Sequence, residues 1–494
     1  MMRPLARVQR IQLRFRAHHW TKLQAHLFPG DADEHGAALL CGQAVIDGKL
    51  HLFVRDVALA LDGVDYVPGT RGHRHLTGEF VTRTLRRAKD AGLVYLAVHN
   101  HGGTDKVSFS KTDLGSHERG YPTLSRLSGL AVGGLVLSRR AVAGDIWLTN
   151  GERVPVGVTV VVGDGLTALT DGHQLDVPQT HTVTPMQYAR QTLIFGDAGQ
   201  ELLGRLKVGI VGCGGIGMLI IQALSRFGVG NFVVIDPDFV STTNLSRLPE
   251  ARLRDATGMF GSGWFGTIMK KLGLNDPTMK VDLARRIIRG ANPAAKVEAV
   301  LGDVADDHVA RKLADCDFLF LAADTMLARD VVNQLAYQYV IPTLQVGSKV
   351  VSEVATGKVL DVYGVVRSLG TVAGCMRCND LINLSKLAEE VLGDEQQRRN
   401  QRYVDDPDVA APSVITLNSM TAGWAVNDFM HYATGLGRPS SGFRILRSQP
   451  VAPGHPQLVL QTPHADPDCH VCGSSPISAS ARGDGVDLPT RIRA

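Results

Sequence analysis

No stretch of this 494-residue chain is apolar for long enough to cross a bilayer. The arginine-bearing start, MMRPLARVQRIQLRFRAHHW, also lacks the apolar core of a secretory signal, so a cytoplasmic protein with no membrane partner is expected. Long basic runs are missing too. The formal charge of +4 is spread over a large surface, which gives no reason to expect nucleic-acid binding. We find no internal repeat. The seven cysteines do not read as a disulfide framework, because four of them form two CxxC pairs, the pattern of a metal site in a reducing compartment. At 44% hydrophobic and 20% charged, the composition suits a chain that buries real cores. Its length allows about three domains of ordinary size, or two with additions.

Two αβ blocks and a tail are read along the chain. Residues 1–160 hold apolar strand-like runs (AALLCG, LHLFV, LVYLAVH, LAVGGLVLS) and a basic helical stretch, EFVTRTLRRAKDAG. Residues 161–185, rich in Gly, Asp and Thr, read as a connector. From 186 to 472, strands (KVGIVG, NFVVID, FLFLAAD, IPTLQVG) alternate with helical segments, which predicts a doubly wound parallel sheet. Residues 381–412 read as a helix followed by an exposed crossing segment, and 473–494 have the composition of a disordered tail.

The apolar run ending at Val211 leads at once into Gly212-Cys213-Gly214-Gly215-Ile216-Gly217. Glycines there let the backbone turn tightly and approach phosphate, and the next helix points its N-terminal amides at the anion. Asp236 ends the following strand, near where an acid would hold a ribose hydroxyl. Alone, this pattern says only nucleotide or dinucleotide fold, and an NAD-dependent oxidoreductase with a structural zinc is the alternative it leaves open.

The residues beyond that strand are more specific: Asp236, Asp238, Asn244, Leu245 and Arg247, then Lys280 in KVDLARRIIRGANP, then Asp324, Arg329 and Asn333 in AADTMLARDVVNQ. With Gln187-Tyr188-Ala189-Arg190-Gln191 at the start, the stretch from Met186 to Gly347 resembles the ubiquitin-activating or ThiF-type adenylyltransferases of the molybdopterin and thiamine pathways. The resemblance implies that Asp236 holds the ribose of ATP, that Asn244, Arg247 and Lys280 hold its phosphates, and that Asp324 holds Mg²⁺. Gly212, Gly214, Gly215, Gly217 and Asp238 would complete the nucleotide site. Arg190 would reach the site of a second copy, implying a homodimer. An insertion, GMFGSGWFGTIMKKLGLNDPTM, separates Arg247 from Lys280, so Lys270 or Lys271 also come into question; Lys280 is preferred for the helix after it.

Cys375, Cys378, Cys469 and Cys472 form two knuckles able to give four thiolates to one tetrahedral Zn²⁺. The resemblance makes that zinc structural. Of the other cysteines, Cys213 lies in the phosphate loop, and Cys41 and Cys316 in or beside apolar strands, where the residue is usually a small buried hydrophobe. AAPSVITLNSMTAGWAVNDF, where a thioester-forming thiol would stand, has serine and no cysteine. Adenylation without an obligatory thioester on this chain is expected, the activated carboxyl passing to an external thiol, sulfide donor or amine, on a separate conjugating enzyme or another acceptor.

In the first block, the strand GLVYLAV runs into His99-Asn100-His101, and alternate strand residues share a face, so both imidazoles can reach one metal. Ser110-Lys-Thr-Asp113 has the spacing of a helix start that aims Asp113 back at the same ion. With Glu34 upstream, residues 8–150 resemble the JAMM (JAB/MPN) isopeptidases. That implies Zn²⁺ on His99, His101 and Asp113, with Glu34 as general base and Ser110 steadying the oxyanion. Asp31 and Asp33 lie close enough to leave the acid's register open; Gly102 stands where the family has proline, and the run from His101 to Ser110 is one residue longer. His73 and His75, with no apolar strand before them, are read as surface.

The expectation is a fusion of two enzymes acting on one small ubiquitin-like or sulfur-carrier protein, using ATP, Mg²⁺ and Zn²⁺. A non-catalytic scaffold for such proteins is the third reading.

Overall fold

The computed structural model describes residues 11–69, 72–172, 185–353, 356–371, 374–392, 412–437, 442–449 and 457–491. The chain divides into two compact units: residues 1–182 with 337–340 and 473–487, and residues 183–336 with 341–472 and 488–494.

The first unit is built on eight strands: β1 (Ile11–Arg16), β2 (Gly36–Ile46), β3 (Lys49–Leu59), β4 (Val94–Asn100), β5 (Val132–Leu137), β6 (Val142–Trp147), β7 (Arg153–Val162) and β8 (Leu166–Leu169). Their order is β1-β3-β2-β4-β5-β6-β7-β8, and β1 also pairs with β7, so the sheet curls back on itself. Between β2 and β3, Asp47 (φ 49°) and Gly48 (φ 73°) make the tight turn that an Asp-Gly pair favours. Leu13, Leu39, Leu52, Leu96, Leu135 and Ile146 meet in its core. The basic stretch read as helical is the helix Gly78–Asp90, capped by Thr77, with Phe80, Thr84 and Ala88 buried at i, i+4 and i+8.

The second unit carries β9 (Lys207–Val211), β10 (Asn231–Asp236), β11 (Lys296–Leu301), β12 (Phe318–Leu321), β13 (Thr343–Ser352), β14 (Val359–Leu369), β15 (Phe443–Gln449) and β16 (Gln457–Gln461). The order is β11-β10-β9-β12-β13-β14-β15-β16. From β11 to β13 all neighbours are parallel, as expected; β14, β15 and β16 extend the sheet antiparallel, which the alternation of strands and helices could not reveal. Strand order reverses between β9 and β12, and ligands of such sheets bind at the carboxyl ends of the strands beside that reversal.

Two boundaries need correction. β7 and β8 carry the first unit past residue 160 into the presumed connector, whose residues 173–184 lie outside the described ones. The tail expected to be disordered instead belongs to the first unit over residues 473–487. Ser478 is wholly buried, as nearly are Ala479 and Ala481. The reason is remote in sequence: the Arg55 guanidinium donates to the carbonyls of Ser475 (2.7 Å), Ser478 (3.0 Å) and Ser480, and Gly483 bridges to Gln43. A polar, small-residue composition reads as disorder only while the partners of its backbone are unseen.

Gly42 faces this strap at close range. A Cβ there would stand 2.2 Å from the Ala481 carbonyl oxygen and 2.6 Å from Arg482 backbone atoms. Backbone cannot yield cheaply, so Gly42→Ala is expected to destabilise the first unit by about 1–3 kcal/mol, read as a lowered thermal midpoint. An unchanged midpoint would mean that the strap is not held against β2.

Candidate functional site

The glycine loop leaves the end of β9. Gly212 takes φ 95°, open to glycine at little cost, and its amide donates to the Ile235 carbonyl (2.9 Å). The Ala322 amide donates to the Val211 carbonyl (2.8 Å), drawing the end of β12 against the same turn. Space is tight. A Cβ on Gly217 would lie 1.8 Å from the Gly212 carbonyl oxygen. Gly214 caps the helix Gly215–Phe227 with no side-chain bond, leaving the first-turn amides to another acceptor.

Asp236 closes β10, buried, with its carboxylate accepting from the amides of Cys213 (2.7 Å) and Asp238 (2.9 Å). Burial, the largest influence, pushes its pKa up against the pull of Lys280 and these amides. Lys280 starts the helix Lys280–Ala291, with its Nζ 2.9 Å from Asp238 Oδ2 and 3.7 Å from Asp236 Oδ1. Burial favours the neutral amine there, but the two carboxylates outweigh it and hold Lys280 above its ordinary range, hence cationic.

Of the three lysines in question, Lys280 is the one brought to these acids; Lys270 and Lys271 stand at the end of the helix Trp264–Lys271, away from that cluster's bonds. The insertion is a folded knob. Buried Asn275 ties it together by bonds to the Phe260 amide and to the carbonyls of Thr257, Gly261 and Gly266.

Arg247 lies along the glycine loop, its Cγ and Cδ 3.4 Å from the Cβ position of Gly215. Its Nη1 donates to the Thr243 carbonyl, and Asn244 caps the short turn Thr242–Asn244 with Ser241. Asp324 follows β12 and is exposed. Burial lowers the pKa of nearby Arg329, partly offset by Asp324 and Glu390. Arg190 is exposed on the opening segment. Arg247 thus lies at Gly215, the end of β12 that precedes Asp324 lies at Gly212, and the Asp236–Lys280–Asp238 cluster lies at the end of β10.

Residues that the sequence did not single out also meet here. Asn418, on the helix Ile415–Thr434, touches Gly215. The Glu390 carboxylate accepts from the amides of Met326 (3.0 Å) and Leu327 (2.8 Å), next to Asp324. Neither had a local signal, since each acts across a long gap in the chain. Most of the crossing segment, residues 393–411, lies outside the described residues.

The ThiF family matches residues 188–470, more than half of the sequence. The chain belongs to the ThiF family. Its similarity to the molybdopterin-synthase adenylyltransferase of Escherichia coli (strain K12) is 25% identity over 292 residues, 58% of this chain and 96% of that protein. With the SAMP-activating enzyme E1 of Haloferax volcanii it shares 29% over 195 residues, 39% of this chain and 60% of that one. Among solved structures, E. coli MccB aligns at 18% identity and a TM-score of 0.43 over 59% of this chain and 73% of that one.

In this ThiF-family chain the four knuckle cysteines are drawn together. Cys375 Sγ is 3.7 Å from Cys378 and from Cys469, and Cys378 is 3.5 Å from Cys472. Four thiolates about 2.3 Å from a tetrahedral zinc would stand about 3.8 Å apart, so the cluster fits that ion. Asn333, wholly buried, accepts from the Met376 amide (2.9 Å), and Asp330 pairs with Arg377 (2.6 Å), so the first knuckle is held by the helix Met326–Gln338.

In the first unit, His99 and His101 share a face at the end of β4, with their Nε2 atoms 3.2 Å apart and each 3.5 Å from an Asp113 oxygen. Ligands about 2.0–2.1 Å from a tetrahedral zinc stand about 3.4 Å apart, which these spacings match. The His101 Nδ1 lies 3.1 Å from the Ser108 carbonyl, a contact that fixes the ring and leaves Nε2 to a metal. Ser110 is the N-cap of the helix Lys111–Ser128 and forms a reciprocal capping box with Asp113, the helix start that the spacing predicts. Although burial opposes ionisation of Asp113, His99 and Ser110 hold it well below the usual carboxylate range.

Glu34 Oε1 lies 3.7 Å from His101 Nε2, whereas Asp31 is taken by His35 (2.9 Å) and Asp33 by the Gly72 amide (2.9 Å). Glu34 is therefore the acid beside the cluster. His73 is on the surface as expected, but its Nδ1 also reaches Glu34 at 2.9 Å. No helix among the described residues is long and apolar enough to cross a membrane.

Proposed function

We propose that this chain uses ATP to adenylate the C-terminal glycine of a small ubiquitin-like or sulfur-carrier protein, and that its first unit is a zinc-dependent isopeptidase acting on the same partner. The observations that support the first part are Arg247 against Gly215 of the glycine loop, Lys280 between Asp236 and Asp238, and the Asp236 carboxylate on the Cys213 amide of that loop, with Asp324 following β12.

Adenylation makes a carboxylate attack the α-phosphorus of ATP. A new O–P bond forms, the bond to pyrophosphate breaks, and acyl-adenylate and pyrophosphate result. Two anions must meet, so cations have to offset their repulsion and the charge growing on the leaving group. Arg247, Lys280 and Asn244 serve the phosphates, the glycine-loop amides cradle them, and Asp236 takes the ribose. Asp238 keeps Lys280 charged and aimed. Asp324 would hold Mg²⁺, which when bound supplies further charge neutralisation. Arg190 serves the pocket of a second copy, which makes the working form a homodimer. The names of the E. coli and Haloferax relatives, an adenylyltransferase and an activating enzyme, support this reading.

No protein nucleophile is needed for that step, and Cys41, Cys213 and Cys316 are all buried. The acyl group therefore passes to a thiol, sulfide donor or amine on another molecule. Cys375, Cys378, Cys469 and Cys472 would hold a structural zinc. In the first unit, His99, His101 and Asp113 would hold a zinc that, when bound, acidifies water. Glu34 would accept a proton from water, and Ser110 would support the oxyanion.

Pyrophosphate exchange into ATP tests the main claim. Label should enter ATP only when magnesium and a small protein ending in Gly-Gly are both present. Exchange without that protein, or nicotinamide-cofactor binding in its place, would overturn the adenylation reading. ATP binding with no exchange against any glycine-tailed protein would leave a scaffold.

A further inference from the structure

We infer that Asn418 is a phosphate-contacting residue of the nucleotide pocket, an assignment that rests on the adenylation reading above. Asn418 lies on the helix Ile415–Thr434, about two hundred residues after the glycine loop, and is only 2% exposed. Its carboxamide is held from two sides. Ser348 Oγ donates to Oδ1 at 2.8 Å, and Nδ2 donates to Ser413 Oγ at 3.2 Å. A carboxamide has two N–H donors, and among the described residues the second has no protein acceptor. Nδ2 stands 2.6 Å from where a Cβ on Gly215 would be, so the group presses on the first residue of the helix Gly215–Phe227.

Burying a donor without an acceptor costs about 1–3 kcal/mol, and an anion at Gly215 would offer one to the remaining N–H. The surroundings say what kind. The first-turn amides of that helix get nothing from Gly214, and the aliphatic part of Arg247 packs at 3.4 Å on the same Gly215 position. Open backbone donors, a guanidinium stem and a side-chain N–H thus converge on one glycine, an arrangement that suits a multiply charged oxyanion. A neutral donor has an advantage here: a second cation as deeply buried as Asn418 would lose much hydration, whereas an amide adds a dipole without that penalty. Two chain segments, one carrying Ser348 and the other Ser413 with Asn418, are needed to aim it.

The test is the MgATP affinity of the full chain by titration calorimetry. Asn418→Ala should weaken MgATP about tenfold or more. Asn418→Asp, which keeps the size but sets a negative charge against phosphate, should weaken it at least ten times further. Adenosine, which has no phosphates, should bind the Ala variant and the wild type equally, whatever the folding of the Asp variant. Wild-type MgATP affinity in the Ala variant, or an equal loss of adenosine and MgATP binding, would overturn the assignment and leave Asn418 a packing residue. If the wild type itself fails to bind MgATP, the adenylation reading fails with it, a result distinct from an unaffected variant of an ATP-binding chain.

Discussion

Replacing Asp324 with alanine is expected to reduce pyrophosphate exchange by about a hundred- to a thousandfold while leaving the thermal midpoint where it was. The separation of the two readouts follows from placement. Asp324 follows β12 on the exposed side of the turn, so its removal uncovers no core. Its carboxylate is the acidic group that would bring magnesium to the phosphates, and without it the two anions must approach with less neutralisation. Lys280 gives the opposite combination. Its amine lies among the side chains of Asp236 and Asp238, and Asp236 is almost wholly buried. Lys280→Ala would leave an uncompensated acid inside the protein and lower stability and activity together. An Asp324→Ala variant with undiminished exchange would remove the metal role from the mechanism.

The other large effect concerns the knuckles. Metal analysis of the purified chain should find two zinc ions, and Cys469→Ser should leave one. The second unit should then lose most of its resistance to heat, because a structural zinc holds its ligands with an apparent free energy of about 10–16 kcal/mol in small peptides, far above the usual stability of a domain. The closure is long. Cys375 and Cys469 lie 3.7 Å apart although 94 residues separate them. The loop includes β15 and β16, which are the antiparallel edge of the sheet, so freeing the second knuckle frees these strands first. A Cys469→Ser variant that kept both zinc ions and the wild-type midpoint would show that the four thiols do not hold a metal.

Much of the local structure at both candidate sites was legible because it is set by neighbouring residues. Val208 to Gly217 reads as strand, turn and helix in one run, and Ser110 and Asp113 sit at the spacing of a capping box that the structure contains. The two CxxC pairs were readable for the same reason: short spacing limits where two thiols can point. Lys280 was preferred over Lys270 and Lys271 for the helix after it, and Glu34 was named with Asp31 and Asp33 close by; only distances show that Lys280 lies beside Asp236 and Asp238 and Glu34 beside His101. The competing acids turned out to be occupied, Asp31 by His35 and Asp33 by the Gly72 amide.

Chain order alone therefore specified the chemistry that a few neighbouring residues can carry: a glycine turn for phosphate, paired imidazoles on a strand, thiols in pairs, alternating strands and helices. Which distant groups pack against those segments was settled only by the folded molecule. Asn418 against Gly215, Glu390 on the amides of Met326 and Leu327, and Arg55 on the carbonyls of residues 475–480 all join segments with no periodic or local signature. Side-chain bonds to backbone depend on where folding brings each group. Chain spacing carries no record of them, and a polar strap such as 473–487 looks unstructured until its partner is in place.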